Sequence, residues 1–239
     1  MLTEMSERFY VSFSLALCDV GLHGPEAHHL ANVSRLREGE RVILFNGDGR
    51  EYAALVQGVN KRHVTLTIDS ISSPNRERSH HLELAVPLPR GDRGQFLIEK
   101  LTELGVSAYV PLQTQRSVVH PSDAKMEKLE RYVIEASKQC GRNSLMSIAP
   151  LAKWETYARG ADSGPLRWLA HPGGQSFQAF QKACSQTDAM VAVGPEGGWT
   201  DTEVELAQQT GWQIVDLGPR ILRVETAAIA LAALLPSTT

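Results

Sequence analysis

Residues 194–198 read Gly194-Pro195-Glu196-Gly197-Gly198, directly after the apolar run Ala189-Met190-Val191-Ala192-Val193. A buried strand that runs into such a turn leaves backbone N–H groups uncovered by side chains, so a ligand can approach them closely. A second turn, Leu217-Gly218-Pro219-Arg220, follows the strand-like residues 212–217. A third, His171-Pro172-Gly173-Gly174, follows Leu166-Arg167-Trp168-Leu169-Ala170. Phosphate chemistry does not suit the first turn, since no lysine and hydroxyl follow its glycines in register and Glu196 would repel an anion. No G-x-G-x-x-G fingerprint, G-x-S-x-G elbow or H-E-x-x-H pair occurs at these turns. Open backbone with one acidic and several apolar residues suits an uncharged-to-cationic ligand with a flat heterocycle, such as an adenosyl group. The same glycines also serve a plainer purpose, the making of tight βα turns.

The elements around these turns follow from pattern. Thr200 stands where a helix cap is expected, with Glu203 in capping-box spacing, and Gly211 stops that helix. Arg223-Val224-Glu225-Thr226 opens an alanine-rich terminal helix. Two strands joined by one crossover helix bring both loops to one edge of a parallel sheet. Upstream, residues 82–88 read as a strand. Asp92 is the expected cap of a helix that has Gln95 in the capping-box position and buries Phe96, Leu97, Leu101 and Leu104. Residues 106–112 form the next strand. A long helix beginning at Ser122 or Asp123 repeats Met126, Leu129, Val133 and Ala136 and closes at Gly141. From residue 82 onward the pattern is α/β.

Residues 1–72 have a different texture. Short strand-like runs at 8–12, 41–45, 51–56 and 63–68 are separated by turn signals, with Asn46-Gly47-Asp48-Gly49 as a hairpin turn. This spacing suggests a small β-barrel. Only residues 24–36 read as helical there. His28-His29 lie on that helix without a supporting Cys, Asp or Glu cluster, so no metal site is expected. Residues 73–81 are polar, contain Pro74 and read as a linker. The expected division is therefore 1–72, a linker at 73–81, and 82–239.

The chain has 239 residues and a net charge of −3, which argues against nucleic-acid binding by bulk charge. The basic residues of the first third, Arg8 among them, read as a solvated surface on charge alone. No apolar run approaches the roughly 18 residues that span a bilayer, and residues 1–20 lack the pattern of a signal peptide. Cys18, Cys140 and Cys184 are far apart and odd in number, the signature of reduced thiols in a cytosol.

GPEGGWTDTEVE followed by LGPRILRVETA closely resembles the C-terminal signature of the small-subunit ribosomal RNA uridine-N3 methyltransferases, S-adenosylmethionine-dependent enzymes of the SPOUT class. The resemblance extends over nearly the whole chain, through Arg8-Phe9, HHLANVSRLREGERVILFNGDG, RGDRGQFLIEKLTELGV, QRSV and EASKQCGR. Arg90 stands where lysine is common, and Gln95-Phe96 replace more usual aromatic or acidic choices. The resemblance implies a PUA-like barrel that holds RNA, a SPOUT α/β domain with a deep trefoil knot, and a homodimer with the knot at its interface. It implies S-adenosylmethionine bent into a pocket of three loops beginning at Leu169, Gly194 and Leu217. The cofactor-binding residues would be Leu169, His171, Gly194, Pro195, Glu196, Gly197, Gly198, Leu217, Gly218, Ile221, Leu222, Arg223 and Thr226. The implied substrate is a uridine of 16S rRNA in the small ribosomal subunit, the location cytoplasmic, with neither metal nor membrane involved.

Uracil N3 loses a proton on methylation, and the resulting charge spreads onto O2 and O4. A fixed arginine there would stabilise the transition state. Arg223 is the first candidate and Arg8 the second. The plainer roles are an ion pair of Arg223 with Glu225 or Glu196, and phosphate positioning by Arg8. The sequence does not single out a general base: Glu196 and Glu225 could serve, and the plainer role of Glu196 is to face the cofactor's cationic side. Two other readings stand beside this one, a SPOUT enzyme acting on tRNA or 23S rRNA and a catalytically silent RNA-binding assembly factor.

Overall fold

The computed structural model describes residues 7–24, 36–60, 63–119, 122–160, 164–184 and 187–235. The chain forms two compact units: Met1–Arg76 with Ser137–Leu145, and Glu77–Ala136 with Met146–Thr239. The polar stretch after residue 72 contributes Arg76 to the first unit, where it bonds Glu51 and the Gly141 carbonyl. It contributes Arg78 to the second, where the guanidinium donates to the carbonyls of Leu104, Ala232 and Leu235.

The first unit is a five-stranded sheet of β1 (Arg8–Tyr10), β2 (Asp19–His23), β3 (Arg41–Phe45), β4 (Glu51–Asn60) and β5 (His63–Ser72), in the order β1-β3-β4-β5-β2. Period-two alternation sets its interior face: Val42, Leu44, Tyr52, Ala54, Val56, Val64 and Leu66 are fully buried and pack with Phe9 and Leu22. The hairpin between β3 and β4 depends on Gly47 and Gly49, both at positive φ, and on Asp48, which accepts from the Arg50 N–H and the Tyr52 hydroxyl. Strand β2 was not anticipated. Only Val20 and Leu22 point inward in it, too short an alternation to register in the sequence. The expected helix at 24–36, with His28 and His29, lies almost wholly outside the described residues.

The second unit is α/β, and the last turn of its second helix, from Ser137, falls in the first unit. Its elements are β6 (Leu82–Val86), α1 (Asp92–Glu103), β7 (Ala108–Gln113), α2 (Asp123–Cys140), β8 (Ser147–Ile148), β9 (Ala152–Lys153), α3 (Trp154–Gly160), β10 (Leu166–Ser176), α4 (Phe177–Cys184), β11 (Ala189–Val193), α5 (Asp201–Gln209), β12 (Gln213–Asp216) and α6 (Val224–Leu234). The strands are parallel, in the order β12-β10-β11-β6-β7-β8, with β9 beside β7. Strands β11 and β12 therefore flank β10, and the loops leaving them emerge at one sheet edge.

Three local expectations need correction. Asp92 does not cap α1: it is the first helical residue, Gly91 is the cap at φ 64°, and no side chain caps the helix. Gln95 instead donates to Glu99. Phe96 is 47% exposed, because the buried stripe runs through Leu97, Ile98 and Leu101, one residue around the helix. Finally, β10 does not end at His171. It continues to Ser176 through an irregularity, with its register on β12 shifting between Ala170 and Gln175. Gly174 is required there, since a Cβ would lie 2.5 Å from the Ile214 carbonyl oxygen.

Candidate functional site

The loops leaving β11 and β12 and the irregular stretch of β10 surround a cavity of about 640 Å³. Its walls come from residues 170–172, 193–199 and 215–222, with Val224 and Ala227 of α6 closing one side. These two lie three residues apart on one face of α6, which otherwise buries Glu225, Ala228, Leu231 and Ala232.

The 194–199 loop is held from several directions. Thr200 caps α5 in a reciprocal capping box with Glu203. Glu203 is 2% exposed and also accepts the Gln115 N–H at 2.8 Å, which ties the turn after β7 to the start of α5. Arg116 in that turn donates to the carbonyls of Gly197 at 2.7 Å and Trp199 at 3.3 Å. The Trp199 indole donates to the Ala170 carbonyl. A Cβ on Gly194 would come within 2.9 Å of the Trp199 ring nitrogen, so the loop passes that ring only as glycine. Behind it, Trp154 packs on both Trp199 and Trp212.

On the opposite wall the Asp216 carboxylate accepts the backbone N–H groups of Gly173 and Gly218, each at 2.8 Å. These two bonds hold its carboxyl below the ordinary carboxylate range. Asp216 thus joins the irregular stretch of β10 to the loop after β12. The cavity presents two carboxylates, Glu196 and Asp216, one arginine, Arg220, and a largely apolar and glycine-rich remainder.

Chemistry of this kind accompanies two family matches. An RNA methyltransferase domain model matches residues 76–236, and an RNA methyltransferase PUA domain model matches residues 22–69. The chain is 33% identical over 223 residues to ribosomal RNA small subunit methyltransferase E of Bacillus subtilis, covering 88% of this chain and 87% of that one. It belongs to the ribosomal RNA small subunit methyltransferase E family. Among solved structures, a methyltransferase from Legionella pneumophila in complex with bound S-adenosylmethionine superposes with a TM-score of 0.88 at 32% identity, over 96% of each chain. The Neisseria gonorrhoeae family member, bound to S-adenosylmethionine, gives 0.88 at 29% identity over 95% of each chain.

In this family member, His171, Gly194, Pro195, Glu196, Gly197, Gly198, Leu217, Gly218, Ile221 and Leu222 line the cavity together. Leu169 does not. It is fully buried in the core beside Ala192, and its neighbour Ala170 lines the cavity instead, as alternation along a strand requires. Arg223 and Thr226 are exposed and outside the lining, because α6 begins at Val224 and turns them to its outer side. Arg8 lies in the first unit with an 11% exposed side chain. Its guanidinium donates to Glu51 and to Asn143 and lies 5.0 Å from the Phe45 ring centroid. The ion pairs weighed for Arg223 belong to Arg93, which reaches Glu196 at 3.3 Å and Glu225 at 3.7 Å. Sequence reasoning also missed Trp199, Asp216 and Arg116. The tryptophan directly after the glycines was the one local signal for any of them. Among the described residues, no group of three or more His, Cys, Asp or Glu is placed to hold a metal.

Proposed function

We propose that this protein transfers the methyl group of S-adenosylmethionine to N3 of a uridine in the 16S rRNA of the small ribosomal subunit. The observation that supports this most is the glycine-walled cavity in a chain of this family. Its size, open backbone and apolar walls suit an adenosyl group, and its carboxylates, Glu196 and Asp216, suit a cationic sulfonium. The bound cofactor would supply an electrophilic methyl on sulfur. The protein's residues would hold it: His171, Gly194 to Gly198, Leu217, Gly218, Ile221 and Leu222 by lining, with Ala170 in place of Leu169. Arg223 and Thr226, at the start of α6, would act at the mouth and not in the walls.

On this reading Arg223 offers a planar donor to the uracil oxygens as N3 loses its proton. Arg8 keeps its sheet in shape and helps the first unit, residues 1–72 taken as a PUA-like barrel, to hold RNA. The target base is reached unpaired or flipped out, since N3 is hidden in a base pair. Residues 82–239 are read as the SPOUT domain, threading a deep trefoil knot. Pairing into a homodimer is supported by apolar exposure on the second unit, where Ile221 is 101%, Phe96 47% and Leu234 43% exposed. A cytoplasmic location agrees with the substrate. Among the described residues no helix is long and apolar enough to cross a membrane.

Small subunits from a strain lacking this activity, treated with the protein and labelled cofactor, test the reading. Nuclease digestion and mass spectrometry should find one N3-methyluridine in 16S rRNA. Label in tRNA, in 23S rRNA or on a ribose hydroxyl instead would overturn it.

A further inference from the structure

Arg93 stands in the first turn of α1 and takes one carboxylate on each arm of its guanidinium. Nη2 lies 3.3 Å from Glu196 in the loop after β11, and Nη1 lies 3.7 Å from Glu225 in the first turn of α6. The two ends differ in kind. Glu196 is a 44% exposed side chain on the cavity wall, and an ion pair of that sort contributes little to stability. Glu225 is 5% exposed and its Oε2 has no hydrogen-bond partner among the described residues. A buried carboxylate in that condition needs a nearby cation, and Arg93 is its one ion-pair partner among the described residues. The α6 N-terminus adds a favourable but weaker field. Arg93 therefore bridges a buried carboxylate, Glu225, and a more exposed one, Glu196, to which it also donates a hydrogen bond.

We infer that Arg93 is a positioning residue for the cofactor, tethering the glycine loop that carries Glu196 to the terminal helix that carries Glu225. Both tethered elements are cavity walls: residues 193–199 on one side, Val224 and Ala227 on the other. The tether fixes their spacing before the ligand arrives. Ordering cost that would otherwise fall on binding is removed in advance. Arg93 itself is absent from the cavity lining, so it acts through Glu196 and the loop. This role rests on the cavity being the cofactor site.

The test compares wild type with Arg93→Ala, Arg93→Lys and the double variant Arg93→Ala/Glu225→Gln. The double variant removes the buried charge that the single change leaves alone, so the loop is released without destabilising α6. Calorimetry should show S-adenosylmethionine and its demethylated product bound about tenfold more weakly by Arg93→Ala and by the double variant, as a lost 1.4 kcal/mol would give. Arg93→Lys should recover part of the affinity. Amide exchange in residues 194–199 should rise without ligand, with the β-strand core unchanged. For the single variants Arg93→Ala and Arg93→Lys, the rate at saturating cofactor should stay within about twofold of wild type, since uniform binding energy affects KM and not kcat. Wild-type affinity in the double variant would overturn the proposal. So would a matching fall in the rate at saturating cofactor, which would put Arg93 in the chemistry. Failure of the pocket reading shows separately: wild-type cofactor binding by Gly194→Val, whose Cβ would strike Trp199, would overturn both.

Discussion

The indole N–H of Trp199 donates to the carbonyl oxygen of Ala170 at 3.1 Å, joining the loop that leaves β11 to the last regular residue of β10. Two walls of the cavity are thereby fixed by a single side chain. Trp199→Phe keeps the ring packing on Trp154 but removes the donor and leaves a carbonyl unpaired. The expected cost is about 1–2 kcal/mol of stability, read by urea denaturation, with a several-fold loss of cofactor affinity by calorimetry. Equal affinity in the variant would mean that this bond does not set the shape of the cavity.

Asp216 does the corresponding work on the other wall, through the N–H groups of Gly173 and Gly218. Asp216→Ala removes both acceptors, and Asp216→Asn keeps the shape with one acceptor and no charge. The alanine variant should lose cofactor affinity by about tenfold or more, and asparagine should recover part of it. If calorimetry finds both variants equal to wild type, the loop after β12 is held by other means.

Glu51 predicts a pH effect in the first unit. Burial alone would raise its carboxyl, but hydrogen bonds and charge from Arg76 and Arg8 outweigh that and hold it below the ordinary glutamate value of 4.5. A carboxyl lowered in the folded state binds fewer protons than in the unfolded chain across that window. Its stabilisation is therefore complete above pH 4.5 and is lost as pH falls through the folded value. Glu51→Gln should cost about 2 kcal/mol at neutral pH. The difference between variant and wild type should shrink as the medium is acidified. A gap that stays constant down to the acid transition would show that the charge of Glu51 is immaterial.

Much of this organisation was legible locally. Apolar runs ending in glycine turns marked β11 and β12, and Thr200 with Glu203 marked α5, because strand burial and helix capping are short-range effects. What was not legible depended on partners far away in sequence. Arg93 and Arg116 lie in the stretches RGDRGQFLIEKLTELGV and QRSV, whose sequence gives them no partner, and only the fold brings them to Glu196, Glu225 and Gly197. Strand parity turns Leu169 into the core and Ala170 to the cavity, and the start of α6 at Val224 leaves Thr226 outside the lining, neither of which local pattern shows. Residues 137–145 read as part of the methyltransferase portion, yet they group with the N-terminal sheet, where Asn143 meets Arg8.

The two arginines singled out for catalysis stand in opposite circumstances, and this separates their expected phenotypes. Arg8 is nearly enclosed, bonded to Glu51 and Asn143 and stacked on Phe45. Arg8→Ala should therefore lower stability by about 2–3 kcal/mol and weaken RNA binding, while cofactor affinity stays as it was. Arg223 is exposed, caps α6 only through its backbone, and has no ion pair among the described residues. Arg223→Ala should change stability by no more than about 0.5 kcal/mol. If its free guanidinium meets the uracil oxygens as N3 loses its proton, the single-turnover rate on small subunits should fall by about 10²–10³ at saturating cofactor and RNA. Lysine should rescue it poorly, since an ammonium cannot present two parallel donors in a plane. Thermal denaturation, cofactor calorimetry and single-turnover transfer, run on the same preparations, keep these effects apart. A near-normal rate for Arg223→Ala under saturation would remove it from the chemistry and leave anion stabilisation to another group.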